Sequence, residues 1–212
     1  MKEEYFRIKE VLGEKPMRLA MYTYLDEGIY AALRSRAGTN IFRDYLSFLD
    51  KVGEISADEK ALLGTVAHEF LRAIEKTSMT KMYKLPIFLA FYNHGDMMLF
   101  IDEEDIYHSF QEFYANASNA VDMLRDKGSR DYRTWGKKEF VDLARRNPMH
   151  FLQQSSPEFF REEAQGFALN PALEEYLHNP AFVRHFKDII DYRGRRFFKE
   201  RLEKIQTEIG GA

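Results

Sequence analysis

Cysteine is missing from the chain, which removes disulfides, thiolate nucleophiles and sulfur-ligated zinc together and leaves no need for an oxidising compartment. Missing too is any apolar run long enough to span a bilayer. Met1 to Glu10 is charged and lacks the apolar stretch of a secretory signal, so the expectation is a soluble, cytoplasmic protein without membrane contact. Neither sign of charge dominates, the formal net charge being −3. Global attraction to nucleic acid or anionic lipid is thereby excluded, and any such contact has to come from a local patch. Tryptophan occurs once, whereas Phe and Tyr number 18 and 12, so aromatic rings supply much of the packing. With 45% hydrophobic residues over 212 positions, one domain or two small ones can bury a core.

Helical signals fill the first third. Tyr5, Ile8 and Leu12 share a face that stops at Gly13; Pro16 opens a second segment, Asp26-Glu27 a third, and Gly38 stands at its far end. Phe42, Tyr45, Leu46 and Leu49 repeat the pattern up to Gly53. Ser56 with Glu59 three residues on is a capping box, and it introduces one long periodic stretch through Leu63, Phe70, Leu71 and Ile74. After a polar break at Thr77 to Lys81, Tyr83 to Asn93 is nearly all apolar, and its length together with Gly95 as cap points to a buried helix. Met97 to Ile101 is short enough for a strand. Asp102 then N-caps a helix to about Tyr114, with Glu103, Glu104 and Asp105 in its first turn. Residues 115 to 135 read as polar loop. Gly136 to Arg146 reads as a helix with Phe140, Leu143 and Ala144 inward, stopped by Asn147-Pro148. A β-hairpin turning at Glu163 to Gly166 follows, then helices over Pro171 to Leu177 and about Pro180 to Ile205.

The fold class is therefore mainly α: a helical bundle over residues 1–78, a winged-helix-like module with a small β component over 79–170, and a C-terminal helical tail, 171–212, packing on the rest. Helix, strand, helix, basic helix, hairpin is the order of a winged helix, in which the third helix lies in the major groove and the hairpin touches the backbone. The same order also serves protein docking.

Catalytic motifs are scarce. Met98 to Asp105, an apolar strand ending in acids, resembles a Walker B element, but no Gly-rich loop with Gly-Lys-Ser/Thr accompanies it, and acids at a helix start have the simpler role of offsetting the macrodipole. His68, His94, His108, His150, His178 and His185 include no pair four residues apart, so no metal site is assigned. The serines lack a nucleophile-elbow pattern. No catalytic residue and no cofactor is expected.

Basic residues carry the remaining signal. Arg130, Arg133, Lys137, Lys138, Arg145 and Arg146 are the candidate nucleic-acid contacts, binding phosphate oxygens, while Tyr132 or Trp135 stacks on a base or packs in the core. A second cluster, Arg193 to Lys204, reads as one face of an amphipathic helix with Glu200 and Glu203 in intrahelical pairs. Tyr5 to Glu10, Met17-Arg18-Leu19 with Tyr22-Thr23-Tyr24, and above all Thr77 to Pro86 resemble the C-terminal region of bacterial superfamily II (DEAD/DEAH-type) DNA helicases; Phe110 to Tyr114, Trp135-Gly136 and Asn147 to Leu152 continue the likeness. In that family the ATPase motor lies upstream. The resemblance implies a helicase fragment or stand-alone relative without ATP hydrolysis in these residues, an accessory region that binds DNA or regulates the motor, with DNA and an upstream motor domain as partners. The alternative is a protein-docking or oligomerisation module, such as a homodimer, that does not bind nucleic acid.

Overall fold

The computed structural model describes residues 1–35 and 40–210, with side chains through Arg201. The expected stop at Gly38 lies outside the described residues. The chain is mainly helical with one small antiparallel sheet, and it divides into two units: Met1–Lys76 together with Pro180–Ala212, and Thr77–Asn179. The C-terminal helix thus groups with the N-terminal helices in one unit. Among the described residues no helix is long and apolar enough to cross a membrane.

The first unit contains α1 (Lys2–Leu12), α2 (Arg18–Tyr24), α3 (Glu27–Ser35), α4 (Tyr45–Val52), α5 (Ala57–Lys60), α6 (Val66–Lys76) and α12 (Pro180–Gly210). Local chemistry sets many of the ends. Gly13 and Gly53 close α1 and α4 in the left-handed conformation at φ 72° and 78°, and Ser56 and Glu59 form both hydrogen bonds of the capping box. The single long stretch expected after Ser56 is broken into α5 and α6, because Gly64 turns left-handed at φ 74° and Thr65 restarts the helix through its hydroxyl, which accepts from the His68 amide. Tyr5, Tyr22, Phe42, Tyr45 and Leu49 lie in the core, where Phe42 stacks on Tyr192 of α12 at 4.7 Å.

The second unit runs α7 (Lys84–Tyr92), β1 (Phe100–Asp102), α8 (Glu103–Ala115), α9 (Val121–Arg125), α10 (Lys137–Ala144), α11 (His150–Ser155), β2 (Phe160–Glu163) and β3 (Gly166–Leu169). Apolar on every side, α7 is buried all round through Leu85, Ile87, Phe88 and Phe91. It ends at Asn93 (φ 42°), whose amide bonds back to Leu89, and not at Gly95; the Asn93 side chain donates to the Asp96 carbonyl and so supports the left-handed turn. The strand begins three residues later than its apolar run. Leu99 precedes it and accepts the Leu169 amide at 2.7 Å.

Two further expectations are corrected. The polar loop after residue 115 contains α9, a helix too short for periodicity to reveal, anchored because Asp122 accepts the Met82 amide and Met123 is buried. Nor do Asn147 and Pro148 stop the helix: Arg145–Met149 forms a wide π turn that leads into α11. Widening moves the preceding carbonyls away from the proline ring, which lacks an N–H to donate.

The sheet order is β1-β3-β2, all antiparallel, with Ile101 opposite Phe167 and Arg161 opposite Ala168. Phe160 and Phe167 stack at 5.7 Å over the core. Gly166 faces Asp102 across the ladder, and a Cβ there would clash with the Ile101 carbonyl oxygen and stand 2.6 Å from the Phe100 ring. Backbone cannot yield as a side chain tip can. Gly166→Ala is therefore expected to cost about 1–3 kcal/mol through overpacking, read as a lower urea midpoint in Trp135 fluorescence.

Candidate nucleic-acid interface

Between Arg125 and Arg146 the chain carries eight Lys or Arg and four Asp or Glu. The first half is a series of tight turns in which Ser129 bonds to Asp126, Tyr132 to Ser129, Thr134 to Asp131 and Trp135 to Tyr132, amide to carbonyl at 2.9–3.1 Å. Two buried anchors hold these turns. The Ser129 hydroxyl donates to the Met123 carbonyl at 2.9 Å, and Tyr132 packs edge-on against Tyr114. Asp126 is tied down by Lys81 and the Tyr83 hydroxyl, and the Lys81 bond holds its carboxyl below the ordinary range. Arg125, Lys127, Arg130 and Arg133 are exposed on this scaffold. Arg133 lies over the Tyr132 ring, 5.5 Å from its centre.

The six candidate cations separate into two groups. Arg130, Arg133, Lys138 and Arg146 are exposed, and among the described residues none has a carboxylate partner; Arg146 donates only to the Asp142 carbonyl one turn earlier. Lys137 and Arg145 are engaged within the unit. Lys137 bonds Glu104 at 2.8 Å, which raises its pKa, and Arg145 bonds Glu103 at 2.9 Å while its Nε lies 3.6 Å from Glu162 of the hairpin. Arg145 thus joins the start of α8 to the hairpin. Among the described residues the hairpin offers no further free cation, since Arg161 pairs with Glu163 at 2.6 Å.

The acids of Met98 to Asp105 act as caps. Asp102 accepts the Glu104 and Asp105 amides at 2.7 and 2.9 Å, Asp105 returns a bond to the Asp102 amide, and those amide bonds lower the Asp102 pKa. Among the described residues no three His, Asp or Glu side chains are grouped to hold a metal ion. In α12, Arg196 pairs with Glu200 at 2.9 Å and Lys199 with Glu27 at 2.7 Å, while the buried Arg193 donates to the Glu75 carbonyl. The Glu203 and Lys204 side chains lie outside the described residues.

Sequence reasoning missed a buried ionic network in the first unit. Arg18, fully buried, donates to Glu75 at 2.5 Å, to His185 Nδ1 at 2.8 Å and to Asp188 at 3.2 Å. On its other side His185 Nε2 faces Glu59 at 3.1 Å, and Glu59 also accepts Lys15, Arg184 and the Ser56 amide. Asp188 accepts the amides of Arg18 and Leu19, and Glu75 accepts that of Tyr45. Burial raises Glu75; it also works against the Arg18 charge, but Glu75 and Asp188 outweigh it and hold the guanidinium above its ordinary value. A faint signal was present: Phe182, His185, Phe186 and Ile189 follow one helical stripe, so a histidine is placed among apolar residues.

Comparison with models of known protein families, with curated proteins and with solved structures gives no match for this chain.

Proposed function

We propose that the chain is a non-catalytic accessory region of a superfamily II helicase and that its second unit engages nucleic acid through phosphates. The carrying observation is the set of exposed cations without carboxylate partners among the described residues: Arg125 at the end of α9, Lys127, Arg130 and Arg133 on the turns that two buried anchors hold in place, Lys138 in α10 and Arg146 in the π turn. Pre-ordered cations lose less conformational entropy on binding than those of a slack loop. The winged-helix reading of this unit draws support from the order helix, strand, helix, helix, hairpin and from the sheet order β1-β3-β2; α9 and the π turn are additions to that plan.

Labelled DNA titrated with the purified chain over a salt series tests this. Each phosphate contact releases counterion, so log affinity falls linearly with log salt. Replacing Arg130, Arg133, Lys138 and Arg146 by Ala is expected to flatten that slope by about 3, near 0.7–0.9 per lost contact. Replacing Lys137 and Arg145 instead is expected to leave the slope nearly unchanged, because their charges are already neutralised by Glu104 and Glu103. Absence of binding at low salt would overturn the proposal in favour of a docking module.

A further inference from the structure

On the basis of that reading, we infer that the ligand is single-stranded nucleic acid, held without regard to sequence by the turn cations and stacked on Trp135, and that the hairpin takes no part. A duplex seated as on a winged helix would place its backbones against the third helix and the wing. Here that side is anionic. Glu103 and Glu104 at the start of α8 consume the charges of Arg145 and Lys137, Glu162 and Glu163 line β2, and the exposed Asp102 adds a further carboxylate. A second phosphate backbone on that face meets acids rather than bases.

The free cations instead come from one continuous segment, exposed on the turns before α10, in its first turn at Lys138 and in the following π turn at Arg146. A single backbone needs no more than such a series of cations to track. Trp135 stands where the turns meet α10. Tyr132, the other ring in the turns before α10, is buried, whereas Trp135 is only partly so; Phe140 of α10 meets it edge-on at 5.4 Å and an interplanar angle of 73°. Among the described residues Phe140 is the one aromatic ring against the indole, and an aromatic face in a cation-rich segment accepts any base, since every base has a π face.

Because the chain holds one tryptophan, intrinsic fluorescence reports this position without a label. The full chain is titrated with a twenty-nucleotide oligo-dT, with a duplex of equal length and with inorganic polyphosphate, and anisotropy of labelled oligonucleotides follows binding in parallel. The expected result is that oligo-dT quenches Trp135 emission with the midpoint seen in anisotropy, that duplex binds at least tenfold more weakly, and that polyphosphate leaves the emission unchanged. Trp135→Ala is expected to weaken oligo-dT binding by about fivefold to a hundredfold, the range of one lost base stack, and Trp135→Phe to restore most of it. Should anisotropy report binding while emission stays constant, or should duplex bind as tightly as oligo-dT, the single-strand assignment fails and the phosphate-binding proposal stands. No anisotropy change with any probe at low salt removes both.

Discussion

Arg18→Met is expected to lower the stability of the first unit by about 3–5 kcal/mol, the largest single effect foreseen for this protein. Among the described residues the guanidinium is the one cation reaching Glu75, His185 and Asp188 together, and methionine would fill much of its volume while leaving two carboxylates with a reduced set of donors. The measure is hydrogen exchange in peptides from α2, α4 and α6, which should lose protection together while α7 to α11 keep theirs. Arg18→Lys should recover little, because a point charge cannot donate to three acceptors in the guanidinium's planar arrangement. Removing the carboxylate as well, in Arg18→Met with Glu75→Met, should recover only part of the loss: the Tyr45 amide would then lose its acceptor. A shift below about 1 kcal/mol in the single variant would show that the network contributes nothing net to this unit.

The second large effect is with pH. Burial, then the charges of Arg18 and Arg184, push the His185 pKa down to about 4 from 6.5, against the pull of Glu59. Geometry requires the same sign. Nδ1 accepts from Arg18, so a proton placed there breaks that bond and sets two cations side by side. The unfolded chain therefore binds more protons than the folded one between pH 6.5 and 4, and stability present above pH 6.5 is lost as pH falls through that window, by about 3 kcal/mol in all. Below about pH 4.5 a further loss follows from Glu59, which burial would raise but which bonds from His185, Lys15 and the Ser56 amide hold far below its ordinary value. Asp44, which burial would likewise raise but which its bonds to His68 and Ser47 bring down to about 2, adds to the loss at the acid end. Urea unfolding of the first unit at stepped pH measures the curve. His185→Gln, whose amide can donate to Glu59 and accept from Arg18, should flatten it between pH 6.5 and 4; a slope that persisted in that variant would move the origin to another group.

The fate of the basic segment shows how far charge can be read along a sequence. Lys137 and Lys138 are adjacent and identical in type, yet the first is paired with Glu104, 33 residues back in the chain, and the second has no carboxylate partner among the described residues. Arg145 likewise looks as available as Arg146 until Glu103 and Glu162 are placed beside it. Among the described residues, four of the six candidate cations are exposed without a carboxylate partner, and the other two are paired with acids from other elements of the same unit.

What the sequence determined by itself is what depends on neighbours within a few residues. The left-handed glycines after α1 and α4, the capping box at Ser56 and Glu59, the acid caps of α8, the hairpin and the all-apolar α7 were legible because each is settled within about one turn of chain. The exceptions among local features, α9 and the π turn at Pro148, are shorter than the period that would reveal them. Only the tertiary structure decided which charges are free and which are spent. Arg18 meets Asp188 across 170 positions and His185 meets Glu59 across 126, and Coulomb energy and burial depend on distance in space, which no local pattern encodes.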